Sequence, residues 1–318
     1  MLTVERLIAI VGPTAVGKTR LAIDLALRLD TEIISGDALQ VYRGLDIGTA
    51  KPDAAERRGV RHHLIDLLGP REEFSVADFK ARAADLIAAI NARGRIPILA
   101  GGTGLYVRSL LEDYRFNAAP GSEEIRRRLA GLAESRGSAH LHRLLQATDP
   151  ETAARLHPND TRRVIRALES IELSGEQISQ SRNAAPVYDC LVIGLTMERA
   201  KLYERINRRV DDMVAAGLVT EVAGLLASGV PPAARSLQAI GYKELVDHLA
   251  GRADLAASVE KIKQATRNFA KRQYTWFRRM PYIHWVDVDK FVEYDTMLAY
   301  IYSLIAGKFL PGEKYNQR

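Results

Sequence analysis

The sequence lacks the hallmarks of several large classes of protein. It contains a single cysteine, Cys190, so it can form neither an intrachain disulfide nor a cysteine-based zinc site. No apolar run approaches the roughly 20 residues that a membrane-spanning helix needs. Residues 1–6 lack the charged and then apolar pattern of a signal peptide. We therefore expect a cytoplasmic protein whose fold depends on its hydrophobic core.

Charge is also limited, with neither sign in large excess. The 318 residues carry a formal net charge of +6, which permits a polyanionic partner without requiring one. Hydrophobic residues make up 47% of the chain, an ordinary share for a globular protein. The length suffices for one large domain or two moderate ones.

A glycine-rich motif lies between an apolar run, residues 7–11, and a helical pattern over residues 18–29. The motif reads Gly12-Pro13-Thr14-Ala15-Val16-Gly17-Lys18-Thr19. Its G-x-x-x-x-G-K-T spacing at a strand-to-helix junction predicts a phosphate-binding loop. Glycine permits backbone torsions that point successive N–H groups at an anion in front of a helix. Lys18 adds a full positive charge, and the Thr19 hydroxyl is placed to ligate Mg2+.

Apolar runs of strand length alternate with helical patterns in the first hundred residues. Strand-like runs cover 32–35 and 95–100, and a helical pattern covers 74–91. This alternation predicts an α/β fold with a parallel sheet flanked by helices. Ligands of such sheets gather at the carboxyl ends of the strands, so Asp37, which follows the second run, should face Lys18.

The alternation breaks between about residues 115 and 183, where only helical patterns occur. Strand-like runs return at 187–195 and 283–288. We therefore predict a discontinuous phosphate-binding α/β core, residues 1–115 and 186–300, with a helical C-terminal part. An all-helical insertion occupies 116–185, and 307–318 form a loose tail. The protein is expected to be a monomer.

Two polar residues follow strand-like runs and are candidates for catalysis. The run before Gly101 ends without the acid that ATPases usually place there to hold Mg2+, which counts against an ordinary ATPase. Asp37 could support Mg2+ or accept a proton from a nucleophile, although a turn cap would also suit it. The Thr103 hydroxyl could contact a substrate atom or simply stabilise its glycine-rich turn.

Basic residues concentrate in two segments. The first, within the predicted insertion, contains Arg162, Arg163 and Arg166. The second, residues 261–279, has seven lysines or arginines and no acid; Lys263, Arg267 and Lys271 recur every fourth residue among aromatic side chains. Such a stripe suits an RNA backbone with splayed bases. A solvated helix face over a packed aromatic core is an equally good interpretation.

Five segments, in this order, resemble the bacterial tRNA dimethylallyltransferase family. They are residues 12–19, 37–43, 46–52, 101–106 and 162–166, and the resemblance extends from near Leu7 to about Trp285. Members of that family transfer a dimethylallyl group from dimethylallyl diphosphate to N6 of the adenosine just 3′ of the anticodon, and they use Mg2+. The string from Asp37 to Pro52 is very specific to the family.

The resemblance implies a role for each matching segment. Loop 12–19 would hold the diphosphate, with Lys18 at the leaving group, Asp37 as general base and Thr103 positioning the adenine. From the helical pattern after strand 187–195 we add one arginine among Arg205, Arg208 and Arg209, with Arg209 as our choice, as a further diphosphate contact. Contacts with tRNA are expected from Asp37, Ala38, Leu39, Gln40, Thr103, Arg162, Arg163, Val164, Ile165, Arg166, Lys271 and Arg272. Two positions depart from the family, since Ala38 and Val16 replace its usual serines.

Two other functions fit part of the pattern. A P-loop kinase of a small metabolite or nucleoside would use the helical insertion as a lid. An RNA-binding nucleotide switch would hydrolyse its nucleotide slowly and leave the RNA unchanged. The missing acid before Gly101 and the string from Asp37 to Pro52 favour the transferase over both.

Overall fold

A computed structural model describes residues 4–112, 114, 121–175, 177 and 186–310 of the chain. Two compact units are present: Met1–Leu110 together with Tyr188–Arg318, and Leu111–Val187. The sequence places the insertion at 116–185, whereas the second unit begins at Leu111 and ends at Val187. The sequence predicts a loose tail from residue 307, but residues 307–309 still belong to the last helix. Residues 311–318 lie outside the described part.

Six parallel strands form one sheet within the described residues, in the order β3-β2-β4-β1-β5-β6. The strands are β1 Arg6–Val11, β2 Ile33–Ser35, β3 His62–His63, β4 Ile98–Gly101, β5 Asp189–Thr196 and β6 Ile283–Asp287. Helices flank this sheet, so the predicted fold class is confirmed. Residues 7–11 are all fully buried, as a central parallel strand covered on both faces requires.

Thirteen α-helices account for most of the remaining described residues. They are α1 Lys18–Arg28, α2 Ala54–Arg57, α3 Val76–Ala92, α4 Gly104–Leu111, α5 Glu123–Arg136, α6 Ser138–Thr148, α7 Pro150–Arg155, α8 Thr161–Ser174, α9 Arg199–Ala215, α10 Leu218–Ala227, α11 Tyr242–Leu249, α12 Leu255–Phe277 and α13 Tyr294–Phe309. Local capping fixes several starts: Ser75 and Asp78 form a capping box at α3, and Asp254 caps α12. Among the described residues, no helix is both long and apolar enough to cross a bilayer.

The core of the first unit lies on the sheet. Leu21 and Leu25 of α1 pack with strand residues such as Ile10, and Ile301 and Ile305 of α13 belong to the same buried cluster. Each is fully buried, and side chains of this size contribute about 1.5–3 kcal/mol apiece on burial. This packing holds β1 and α1 rigidly on either side of the loop that joins them.

The second unit is built from α5, α6, α7 and α8. Its own small core includes Leu129, Leu141, Leu145 and Val164, which are all buried. Glu169 is buried as well, and its carboxylate accepts hydrogen bonds from the Ser122 backbone N–H at 2.7 Å and from Nε of Arg126 at 2.8 Å. The helices that the sequence predicts in this region are therefore present, and the apolar cluster packs them against one another.

Candidate active site

The carboxyl ends of β1, β2 and β4 meet at one edge of the sheet, and the loops that follow them lie very close together. A Cβ atom on Gly101 would lie 2.3 Å from the carbonyl oxygen of Gly36, and one on Gly12 would lie 2.6 Å from that of Leu195. Only glycine allows these backbones to approach so closely. The loops after β1, β2 and β4 thereby converge at this edge, as expected for a ligand site of a parallel sheet.

The glycine-rich loop, residues 12–19, joins β1 to α1 as its pattern predicts. Gly12 has φ 140° and Gly17 has φ 108°, and Ala15 between them also has a positive φ of 65°. Such a run of unusual torsions turns backbone N–H groups toward one concave side, ahead of the N-terminus of α1. The side chain of Val16 is buried in the core, so its replacement of serine affects packing more than the open side of the loop.

Lys18 lies at the centre of this site. Its ammonium Nζ donates a hydrogen bond to the carbonyl oxygen of Pro13 at 2.7 Å. Burial and the nearby guanidinium of Arg209 lower the pKa of Lys18 to about 7, while the carboxylate of Asp37 opposes this shift. The charges of Lys18, Arg209 and Asp37 therefore act on one another. Two cations and one carboxylate lie in this part of the structure, an arrangement that would favour binding of an anion.

Arg209 on α9 is the arginine whose charge acts on Lys18 and Asp37. Burial lowers its pKa, and the carboxylates of Asp37 and Glu56 act in the opposite direction. By contrast, Arg208 is exposed and pairs with Glu204 across one turn of the same helix, with N and O 2.8 Å apart. The charges around Arg209 thus distinguish it from Arg208, a distinction that the sequence alone does not make.

Asp37 has one oxygen engaged and one available. Its Oδ1 accepts hydrogen bonds from the backbone N–H groups of Leu39 at 2.9 Å and Gln40 at 3.4 Å. Within the described residues, Oδ2 accepts none. The turn-cap interpretation and the proton-acceptor interpretation of Asp37 are therefore compatible, because a different oxygen serves each.

Thr103 connects the loop after β4 to the loop after β2. Its hydroxyl oxygen accepts a hydrogen bond from the backbone N–H of Ala38 at 3.1 Å, and its own N–H donates to the carbonyl oxygen of Gly36 at 3.3 Å. The hydroxyl proton remains able to donate to another group. Thr103 is thus adjacent to the segment that carries Asp37.

Gln273 on α12 is a further residue of this site, and no sequence pattern pointed to it. This residue is buried, and its side-chain amide bonds both to the glycine-rich loop and to the loop after β4. It lies inside the basic segment 261–279, where neither composition nor spacing distinguishes it. The one signal that could have identified Gln273 is its polar side chain on the buried face of an amphipathic helix, because buried polar groups need hydrogen-bond partners.

Two of the three regularly spaced cations of α12 bind another helix of the protein, so they are not available as an RNA-binding face. Nζ of Lys263 pairs with the carboxylate of Asp211 at 2.8 Å, and Arg267 donates to Oδ1 of Asn207 at 2.6 Å, so both side chains pack against α9. Among the interleaved aromatics, Phe277 is fully buried and the Tyr274 hydroxyl hydrogen-bonds near the end of β5. This part of the stripe is structural. Lys271 and Arg272 are exposed, and their contact with tRNA stays a prediction.

The first basic segment, which contains Arg162, Arg163 and Arg166, begins α8 in the other unit. Arg162, Arg163 and Arg166 are exposed, with Arg163 paired to Asp160 at 3.3 Å. Val164 is fully buried in the core of this unit and Ile165 packs against it, which corrects the expectation that the Val164 side chain contacts tRNA. The arginines alternate with these core residues because α8 is amphipathic.

The string from Asp37 to Pro52 folds into a tightly bonded scaffold. The amide of Gln40 donates to the carbonyl oxygens of Thr49 and Ala50, each at 3.3 Å, and accepts from the Ser35 hydroxyl at 2.9 Å. The Glu221 carboxylate accepts three consecutive backbone N–H bonds from residues 46–48, at 3.0, 2.7 and 3.2 Å. The string from Asp37 to Pro52 therefore also has a structural role, because these hydrogen bonds fix the conformation of the chain that follows Asp37.

Lys51 is the central cation of that scaffold. Its almost fully buried ammonium donates to the carbonyl oxygen of Tyr42 at 2.7 Å, to Asp46 at 2.5 Å and to Asp66 at 2.6 Å. These three bonds use all of its donors. They connect Tyr42 and Asp46, which belong to the same string, with Asp66 in the segment that follows β3.

Replacing Lys51 with methionine should lower the free energy of unfolding by about 2 kcal/mol, because the Tyr42 carbonyl loses its donor while the half-exposed carboxylates stay hydrated. Urea unfolding of the variant and of wild type measures the difference. Lys243→Met, at an exposed lysine of α11, is the matched control. Equal stabilities of the two variants would contradict the structural role of Lys51.

The fold and the edge of the sheet define an α/β protein with a parallel sheet, whose candidate site combines two cations with a carboxylate. A profile described as IPP transferase matches residues 40–280, and the chain belongs to this family. A tRNA dimethylallyltransferase from Geobacillus thermodenitrificans is 48% identical over 307 residues, covering 96% of this chain and 97% of the relative. Another, from Symbiobacterium thermophilum, is 53% identical over 285 residues and covers 89% of each chain.

Two solved structures are similar over most of this chain. The full-length tRNA isopentenylpyrophosphate transferase from Bacillus halodurans is 49% identical, with a TM-score of 0.73 over 96% of both chains. A eukaryotic dimethylallyltransferase acting on tRNA is 29% identical, with a TM-score of 0.83 over 99% of this chain and 81% of the other. The resemblance stated from sequence is therefore confirmed.

Proposed function

We propose that this protein transfers a dimethylallyl group from dimethylallyl diphosphate to N6 of the adenosine 3′ to the anticodon of tRNA, and releases diphosphate. The observation that carries the proposal is the convergence of Lys18, Arg209 and Asp37 at the carboxyl edge of the sheet. Relatives named tRNA dimethylallyltransferase, at 48% and 53% identity over most of the chain, support the same reaction.

The glycine-rich loop would hold the diphosphate of the donor. Its N–H groups, the N-terminus of α1, Lys18 and Arg209 together supply positive potential where negative charge develops as the carbon–oxygen bond breaks. The Lys18 ammonium donates a hydrogen bond to the carbonyl oxygen of Pro13. A bound diphosphate is a far stronger acceptor and would keep Lys18 protonated.

Thr19 would hold the Mg2+ that we propose as cofactor. Its side chain is exposed at the start of α1. No group of three or more His, Cys, Asp or Glu residues that could hold a metal occurs in the described part of the chain. That composition fits Mg2+, which is usually bound by one or two protein oxygens together with substrate phosphates. When bound, the ion would neutralise charge on the leaving group.

Asp37 would act as the general base. As the bond between the allylic carbon and the diphosphate oxygen breaks, a bond forms from that carbon to N6 of adenine. One N6 proton then passes to Oδ2 of Asp37. Oδ1 meanwhile stays fixed by its two backbone donors, so the free oxygen is held in place. Thr103, next to this segment, would position the base through its hydroxyl proton.

The tRNA would contact exposed basic residues of both units. In the first unit these are Lys271 and Arg272, and we expect the segment Ala38, Leu39 and Gln40 to contribute as well; in the second unit they are the exposed arginines of α8. To enter the site, the target base must leave the anticodon stack, at a cost of a few kcal/mol. Stacking and phosphate contacts would offset that cost.

Binding of tRNA should weaken as salt rises, because phosphate contacts release counterions. Lys271→Ala and Arg162→Ala should each reduce the slope of log affinity against log salt by about one unit. Titrations of labelled tRNA between low and physiological salt measure the slopes, and Lys290→Ala, at an exposed lysine outside the proposed surface, is the control. A slope unchanged by both variants would remove these residues from the interface.

The function itself is tested with two labelled substrates. Incubation with labelled dimethylallyl diphosphate and unmodified tRNA should move label into the RNA, whereas labelled ATP should transfer nothing to tRNA, nucleosides or small alcohols. Transfer from ATP would instead support the kinase alternative, for which the similar proteins give no support. We further propose that the protein is cytoplasmic and monomeric. Gel filtration with light scattering tests the oligomeric state.

A further inference from the structure

One buried side chain joins the two halves of the proposed site. The backbone N–H of Thr14, in the glycine-rich loop, donates to Oε1 of Gln273 at 2.8 Å. Nε2 of Gln273 donates in turn to the carbonyl oxygen of Gly102 at 2.9 Å. Gln273 is only 5% exposed, so these bonds compete little with water.

The bonds continue from Gly102 to the segment that carries Asp37. Gly102 is followed by Thr103, whose hydroxyl oxygen accepts the backbone N–H of Ala38 at 3.1 Å. Three hydrogen bonds and one peptide unit therefore lead from the loop after β1, through α12 and the loop after β4, to the loop after β2. Each loop on this path contributes a different part of the proposed chemistry.

The space around Gly102 is matched to the glutamine. A Cβ atom on residue 102 would lie 2.3 Å from Nε2 of Gln273, whereas its next-nearest neighbour beyond that side chain, the Gly12 carbonyl oxygen, would be 3.6 Å away. The clash is therefore with Gln273 almost alone. A glutamine suits this position because its amide can accept from one backbone group and donate to another at the same time.

We propose that Gln273 is a positioning residue that sets the donor loop and the general-base loop in register. The inference rests on the proposed transfer reaction. A displacement of about 1 Å between the allylic carbon and the nucleophile can cost up to about 100-fold in rate. Gln273 acts through Thr14 and through Gly102 with Thr103, and it need not touch either substrate.

The first test replaces Gln273 with methionine, which keeps the length of the side chain and removes the amide. We expect kcat at saturating donor and tRNA to fall by about tenfold or more, with KM for each substrate changing by less than about threefold. Gln264→Met, an exposed position on the same helix, should stay within about twofold of wild type. Thermal melting of both variants shows whether the fold is retained.

Gly102→Ala provides a second variant, should Gln273→Met fold poorly. The backbone at residue 102 has no positive φ, so alanine fits the main chain and acts by displacing the Gln273 amide. It should lower kcat to a similar extent. Full activity of Gly102→Ala would overturn the proposal.

A double-mutant cycle with Thr103→Ala distinguishes positioning from a general structural role. If Gln273 acts through Thr103, Gln273→Met should cost about tenfold in the wild-type background but no more than about twofold beside Thr103→Ala. Equal losses in both backgrounds, or a kcat equal to that of Gln264→Met, would refute it. Failure of the proposed function would appear separately, as a wild-type protein that transfers no dimethylallyl group.

Discussion

Asp37→Asn should lower kcat by about 100-fold or more while the affinity for diphosphate changes by less than about threefold. Asparagine keeps an oxygen that can accept the backbone N–H groups of Leu39 and Gln40, so the turn should survive. It cannot take the proton of the adenine amine. Single-turnover transfer to tRNA measures the chemical step, and calorimetry with Mg2+ and diphosphate measures the donor site.

Two comparisons sharpen this test. Asp37→Ala removes the turn cap as well as the base, so it should be less stable than Asp37→Asn and no more active. Asp85→Asn, at an exposed position of α3, controls for the change of charge and should leave kcat as in wild type. An Asp37→Asn protein with wild-type turnover would exclude Asp37 as the base.

Lys18→Met should lower kcat/KM for the donor by about 1000-fold, since it removes the charge nearest to the leaving group. Methionine matches the lysine stem in length, so packing beside the loop should be kept. Affinity for tRNA should change by less than about threefold, because Lys18 is not on the proposed RNA surface. Steady-state kinetics with varied donor, and RNA titrations without donor, measure the two effects.

The lowered pKa of Lys18 gives the donor site a pH dependence. In the free protein this pKa is about 7, so the ammonium is protonated below pH 7 and loses its proton above it. Diphosphate binds the protonated form. Relative to Lys18→Met, wild-type affinity for diphosphate should therefore fall by up to about tenfold for each pH unit above 7.

Calorimetry of both proteins between pH 6 and 9 isolates this effect, because the ionisation of diphosphate itself is common to the two. A wild-type to variant ratio that stays constant over this range would show that Lys18 does not titrate there. Loss of the difference below pH 6 would contradict the account as well, since Lys18 is then fully charged.

Local patterns sufficed for much of the fold and for the expectation that the main candidate site residues lie at one edge of the sheet. The continuous apolar run at 7–11 and the G-x-x-x-x-G-K-T spacing have few alternative structures, so β1, loop 12–19 and α1 were predicted closely. Asp37 and Thr103 follow strands that turned out to be neighbours of one another, because β2 pairs with β4 in the sheet. Their proximity thus follows from strand order once the sheet is assumed parallel.

Contacts between distant segments could not be read in the same way. The basic stripe of α12 has the spacing of an RNA-binding face, yet Lys263 and Arg267 pair with α9, whose position depends on tertiary packing. Arg209 and Arg208 are adjacent in sequence, and only the direction of α9 separates their roles. Gln273 is 259 residues from its partner Thr14, a separation across which no local pattern carries information.

The most direct test of the central claim is mass spectrometry of the nucleosides from tRNA that has been incubated with the protein, Mg2+ and dimethylallyl diphosphate. The account predicts one adenosine per tRNA, 3′ to the anticodon, that gains a dimethylallyl group at N6, with diphosphate released in equal amount. Adenosines left unmodified at that position, under conditions where the protein is folded and binds both substrates, would contradict it.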